Sequence, residues 1–180
     1  LLLQTEKLWK NQREQLYHTG DQIVSWLQTP KTRSGKEPSP AFIRRGIDRL
    51  SADFDPLWGG FGRAPKFPSA HNLLFLMHYA ALEQNKKALQ MADKTLECMA
   101  RGGICDQIGG GFSRYSTDEQ WLIPHFEKML YDNALLIYAY AKAYQITNKP
   151  FFLSVTMETV SYVFRELQAP EGGFFCGQDA

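Results

Sequence analysis

The triplet Gly-Gly-Phe occurs three times in this chain, at Gly59-Gly60-Phe61, Gly110-Gly111-Phe112 and Gly172-Gly173-Phe174, with one pair of helix-patterned segments between successive occurrences. After each of the first two triplets comes a segment that is apolar almost all round, then one with a single apolar stripe. A helix apolar on all sides is buried on most of them, whereas a striped helix keeps one face in water. A fixed-period repeat points to a repeat architecture. Inner helices alternating with outer ones fit a ring of helical hairpins better than a solenoid, whose loops are shorter. The expected fold is all-α, an (α/α) toroid with its Gly-Gly-Phe corners at one rim. Three unrelated helix stops would leave the same triplets, since glycine commonly follows a helix.

The rest of the pattern is read in order. Residues 1–28 place Leu1, Leu2, Leu8, Trp9, Leu16, Ile23, Val24 and Leu27 at helical spacing, with Gly20 as the expected bend. Residues 29–38 read as an exposed connection in which Lys31, Arg33 and Lys36 are solvated. Ser39-Pro40 reads as an N-cap and first helical residue, opening a short helix with Ile43, Ile47 and Leu50 on one side. Residues 53–68 hold three prolines and three glycines, too many for a regular element. Ser69 is expected to cap an inner helix over 70–84. An outer helix follows over 85–101, striped by Ala88, Leu89, Ala92, Leu96 and Met99 and closed by Gly102-Gly103. The second inner helix runs through Met129, Leu130 and 134–140, and the second outer helix from Pro150 to about Gln168.

The stretch 109–133, GGGFSRYSTDEQWLIPHFEKMLYDN, concentrates the ionisable and aromatic residues. Glycoside hydrolysis needs two carboxylates flanking a sugar, one of them protonated near neutral pH. Asp106, Glu127, Asp132 and Asp179 are the candidates. Glu127, among Phe126, Met129, Leu130 and Trp121, is the expected proton carrier; the alternative is an ion pair with Arg114 or Arg63. Epimerisation or isomerisation needs a base beside a carbonyl, a role that suits His125, with His71 or His78 as a second base. A hydrogen-bonded core histidine is the competing reading. His125 and Glu127 are two apart and no His-x-x-x-His spacing occurs, so no metal site is expected.

Lys128 and Asp132 would form an i,i+4 ion pair if the helix has begun, worth ~0.3–0.5 kcal/mol when exposed. Trp58, Phe61, Phe67, Phe112, Tyr115 and Trp121 are either sugar-stacking platforms or plugs that close the ring. Arg63 and Lys66 suit an anionic group such as a phosphate. Arg114, Tyr115, Trp121, Lys128, Tyr131, Gln178 and Asp179 complete the candidate substrate-facing set.

Composition narrows the partners. A net charge of +1 with scattered basic residues argues against a nucleic-acid face. No phosphate-binding or dinucleotide-binding glycine motif is present, and no cofactor is expected. Cys98, Cys105 and Cys176 form no Cys-x-x-Cys pair, which suits a reducing compartment, the cytoplasm. No apolar run reaches the roughly 18 residues of a membrane span. The chain opens without Met and stops just after a turn, as a fragment would. Dimerisation through an exposed apolar flank, or instability alone, is then expected.

The segments WGGFGRAPKFPSAHNLLFL, GGICDQIGGGFSRYSTDEQWLIPHFEKMLYDNALLIYAYA and GGFFCGQDA resemble the YyaL-type thioredoxin-domain-containing proteins. The resemblance implies a thioredoxin-like domain followed by an (α/α)6 toroid of the six-hairpin glycosidase and N-acylglucosamine 2-epimerase type. Residues 1–38 would then be the connecting helix and linker from that missing domain, and 39–180 the first half of the toroid. The implied activity is carbohydrate-linked by fold: a sugar epimerase or isomerase, or a glycosidase-like enzyme, with a sugar or sugar-phosphate ligand. A non-catalytic module that presents its rim to a protein partner is the alternative.

Overall fold

The computed structural model describes residues 2–28 and 39–179. They belong to two units divided between Pro38 and Ser39. The connection 29–38, with Lys31, Arg33 and Lys36, lies outside the described residues, as do Leu1 and Ala180.

The first unit is a pair of helices, α1 (Leu2–Asn11) and α2 (Arg13–Gln28). The break falls at Gln12 and not at the expected Gly20, which continues inside α2 with open space around it. At the break the Arg13 guanidinium lies over the ring of Trp9 at 4.4 Å and that of Tyr17 at 5.5 Å. These cation–π contacts bind the two helices across the joint. The apolar spacing is present, yet neither helix buries a residue.

The second unit begins with α3 (Pro40–Asp53), α4 (Ala70–Glu83) and α5 (Lys86–Arg101). It continues with α6 (Leu130–Thr147) and α7 (Pro150–Tyr162), which runs on as a π-helical turn over Val163–Leu167. Pro40 and Pro150 each stand in the first turn, where the missing N–H costs nothing. Asn85 caps α5 by accepting from the Ala88 N–H at 2.9 Å. Ser69 occupies the N-cap of α4 but turns left-handed, φ +47°, and its hydroxyl makes no capping bond.

α4 packs on α5 and α6, α6 on α7, and α3 on α5. The inner helices α4 and α6 are therefore neighbours, with α3, α5 and α7 outside them. Leu73, Leu76, Met77, Leu96, Met99, Leu136, Tyr140 and Phe152 form the dry core between these layers. Each buried side chain of this size contributes about 1.5–3 kcal/mol, and the Tyr140 hydroxyl is satisfied by the Leu96 carbonyl at 2.8 Å. The inner helices are not covered all round as expected. His71, His78 and Leu82 on α4, and Tyr131, Leu135 and Tyr138 on α6, stay exposed.

The three corners follow the C-terminal ends of α3, α5 and the π turn, and the first two precede α4 and α6. The short turns at Gln84-Asn85 and Asn148-Lys149 take the other end, so the corners share one rim. All six corner glycines have φ between +68° and +92°. Each phenylalanine pairs back across its corner, Phe61 to Phe54, Phe112 to Cys105 and Phe174 to Gln168. Glycine is required twice over at the second position. A Cβ on Gly60 would lie 2.6 Å from the Trp121 ring, and one on Gly111 would overlap the ring of Tyr162.

Short antiparallel strands stitch the corners together. β1 (Tyr115–Ser116) pairs with β2 (Pro124–His125), and β3 (Lys128–Met129) with β4 (Gly177–Gln178). A further bridge joins Lys66 to Ser116. The first corner is thus tied to the second, and the second to the third.

Candidate functional site

Four of the sequence candidates are engaged in holding the rim together. Lys66 is only 1% exposed, and its ammonium donates to Asp55 at 2.6 Å, to the Gly59 carbonyl at 2.9 Å and to the Glu119 carbonyl at 2.8 Å. All three of its donors have partners. Lys128 donates to Asp106 at 2.7 Å and to the Gly110 carbonyl at 2.8 Å. It precedes α6, so the ion pair expected with Asp132 does not form. Asp106 also accepts from the Ile108 and Gly109 N–H groups. The Lys128 hydrogen bond and these backbone bonds hold its carboxyl down at about 2. Trp121 is fully buried against Gly60, with its indole N–H on the Trp58 carbonyl at 2.8 Å.

The remaining candidates gather where α4 and α6 begin. A cavity of about 260 Å³ is lined by Phe67, Pro68, Ser69, Ala70, His71, Asp132 and Leu135. Asp132 stands in the first turn of α6, half-buried, and is without an ion pair among the described residues. Burial raises its carboxyl above the ordinary range, the Glu127 charge adds to the rise, and Arg114 opposes it. Glu127 itself meets Arg114 at 2.9 Å, the alternative left open by the sequence. Of the apolar neighbours anticipated for it, Phe126 is turned out to solvent.

Beside this cavity three rings stack in a row. Phe67 lies 4.9 Å from Tyr115, and Tyr115 lies 4.8 Å from His125 at an interplanar angle of 19°. The β1–β2 register, which sets Tyr115 directly opposite His125, fixes this contact. His125 is exposed. His71 reaches the cavity from α4, whereas His78 bonds the Leu74 carbonyl through Nδ1 at 2.7 Å.

Other candidates lie apart. Arg63 lines a separate hollow of about 460 Å³ with Asp53, Asp55 and Glu119. Gln178 accepts from the Tyr162 hydroxyl at 3.0 Å on the third corner, where Asp179 is exposed. Tyr131 is exposed on α6. Among the described residues, no group of three or more His, Cys, Asp or Glu is placed to hold a metal ion, and no helix is long and apolar enough to cross a membrane.

Asp55 is the participant that sequence reasoning missed. Its signal was an aspartate four residues before the first corner glycine, at Asp55 and again at Asp106. Leu135 had no such signal beyond its place one turn after Asp132 on α6, and Phe67, already an aromatic candidate, joins them through the packing of α4 beside α6.

No family model matches the chain. Spermatogenesis-associated protein 20 from Homo sapiens is 39% identical over 189 residues, covering 100% of this chain, and the Rattus norvegicus protein of the same name is 40% identical over 181 residues, covering 96%. The chain spans about a quarter of the length of these relatives, 24% and 23%. Among solved structures, a sugar epimerase from a ruminal bacterium superposes with TM-score 0.68 at 17% identity, over 77% of this chain and 40% of that one. Cellobiose 2-epimerase from Bacillus thermoamylovorans gives 0.65 at 14% identity, over 78% and 42%. A family 76 glycoside hydrolase (mannosidase) from Bacteroides thetaiotaomicron gives 0.54 at 16% identity, over 62% and 30%. These likenesses show the fold: the hairpins are part of an (α/α)6 toroid.

Proposed function

We propose, for a chain that belongs to the spermatogenesis-associated protein 20 family, that the corner rim is a carbohydrate site at which Asp132 and His125 exchange protons with a bound sugar. The observation that carries this reading is the half-buried Asp132 in a cavity of about 260 Å³, whose wall residue Phe67 packs on Tyr115, on which the exposed His125 in turn stacks. A carboxyl whose ionisation is opposed by burial keeps its proton to higher pH and can act as a general acid. The exposed His125 imidazole, two rings along from the cavity wall, offers a second group for proton exchange. The Phe67–Tyr115 pair offers an aromatic face for a sugar ring, and the toroid neighbours include sugar epimerases and a mannosidase. In this reading the reaction is sugar epimerisation or isomerisation, or glycosidase-like hydrolysis. Residues 39–180 supply the first half of the toroid, and 1–38 its connection to a thioredoxin-like domain.

The test is a panel of hexoses, cellobiose, N-acetylhexosamines and hexose phosphates applied to the full-length protein in deuterated water. Exchange of deuterium at C2 marks epimerisation or isomerisation, and new reducing ends mark hydrolysis. Asp132→Asn and His125→Ala abolish either signal while the fold survives. Unchanged turnover in both variants would sink this assignment.

A second reading, a non-catalytic interaction module, draws on the same rim. Lys66, Lys128 and Arg114 are all ion-paired, Phe112 and Trp121 are fully buried, and Ile108, Leu122, Ile123 and Phe126 stand exposed. No saturable binding of any sugar in the panel would favour it.

A further inference from the structure

Arg114 acts on the carboxyls of both Glu127 and Asp132, yet the two are not equivalent. Glu127 Oε2 meets Arg114 Nη1 at 2.9 Å, whereas Asp132 has no hydrogen bond or ion pair among the described residues and forms part of the cavity wall. We propose that Glu127 is a positioning residue, whose ion pair with Arg114 leaves Asp132 as the carboxyl that carries the site's proton. This rests on the carbohydrate reading only for the use to which the proton is put.

Charge balance separates the two carboxyls. The titratable and charged groups around Asp132 are Arg114 and Glu127 on the corner loop, His71 across the cavity on α4, and Tyr131 beside it on α6. Arg114 alone would draw a proton off Asp132, as would the N-terminal turn of α6. A guanidinium already joined to a carboxylate presents almost no net charge, so burial prevails at Asp132. Without the Glu127 charge, Arg114 would be a lone cation with a half-buried carboxyl as its nearest acidic neighbour. It would then pair with Asp132 and force it into the ionised form. On this account Glu127 touches no substrate and acts through Arg114, while Asp132 does the chemistry.

The experiment follows protonation directly. A diazo reagent, which esterifies protonated carboxyls, is applied to the full-length protein from about pH 3 to about pH 8, and labelling of Asp132 is mapped by peptide mass spectrometry. In the unsubstituted protein its midpoint lies above that of an aspartyl peptide. Glu127→Gln lowers the midpoint by about one to three pH units, and adding Arg114→Gln brings it back up. A midpoint that Glu127→Gln leaves unmoved or raises would overturn the proposal. Should Glu127→Gln fail to fold, Glu127→Ala decides: a lower midpoint supports the proposal, and an unmoved or higher one overturns it. Sugar binding is measured on the same samples. The expected shift with no sugar bound by any of them leaves the role of Glu127 standing and removes the carbohydrate reading.

Discussion

Lys66 and Lys128 hold equivalent places in successive corners. Each ammonium binds the aspartate that opens its corner, Asp55 at 2.6 Å and Asp106 at 2.7 Å, and the carbonyl of the first paired glycine, Gly59 at 2.9 Å and Gly110 at 2.8 Å. Each also lies near an aromatic ring, Trp121 at 5.6 Å and Tyr162 at 4.6 Å. At the third corner Ala169 stands where the aspartates do, with its N–H on the Gly173 carbonyl as that of Asp55 is on Gly60.

Removing either ammonium strands its acceptors, and the penalty follows burial. Lys66→Met leaves Oδ2 of Asp55 without its cation and two carbonyls without their donor, and costs about 3–5 kcal/mol, in the range for breaking a buried ion pair. Lys128→Met, at a wetter site, costs about half as much. Urea unfolding of the two variants measures the difference; equal losses would contradict it.

The depressed Asp106 carboxyl ties corner stability to acid. A carboxyl held at about 2 contributes stability that is fully present above its ordinary range near 4 and is lost as pH falls through about 2. Asp106→Asn therefore flattens the unfolding profile between about pH 4 and about pH 2, and leaves its slope near neutrality unchanged. A profile identical to that of the unsubstituted protein would refute this.

Gly111 and Gly173 share a left-handed backbone, at φ +76° and +81°, but not their surroundings. Gly173→Ala meets nothing within 4 Å and bears only the backbone penalty, about 1–2 kcal/mol. Gly111→Ala bears that penalty and also collides with Tyr162, for a total of about 3 kcal/mol or more. Thermal unfolding of the pair separates the two contributions, and Tyr162→Ala recovers part of the loss only for Gly111→Ala.

Trp121 distinguishes a plug from a platform. With its ring buried against Gly60 and its N–H on Trp58, Trp121→Ala opens a cavity and costs about 3–5 kcal/mol. Tyr115→Ala, at a half-buried ring, costs less in stability and, under the carbohydrate proposal, weakens sugar binding. If Trp121→Ala instead left stability intact and removed binding, the ring would be a platform.

The helices were legible because apolar spacing and the Ser-Pro and Asn-Lys-Pro signals are local. So was the gathering of the corners, since each Gly-Gly-Phe follows an outer helix. The site was legible only in part. His125, Glu127 and Asp132 are marked by residue type, but which carboxyl is paired depends on where the Arg114 side chain lies, and that is set by loop packing. The Lys128–Asp132 expectation failed because the helix begins at Leu130. The bend expected at Gly20 does not occur there; the helix is interrupted at Gln12 instead.

The backbone bridge from Lys66 to Ser116 and the pairing of Lys128 with Gln178 make each corner a neighbour's support. Loosening one turn withdraws hydrogen-bond partners from the next, so amide exchange along these loops is expected to rise together. The rim would open as a seam unpicked from one end.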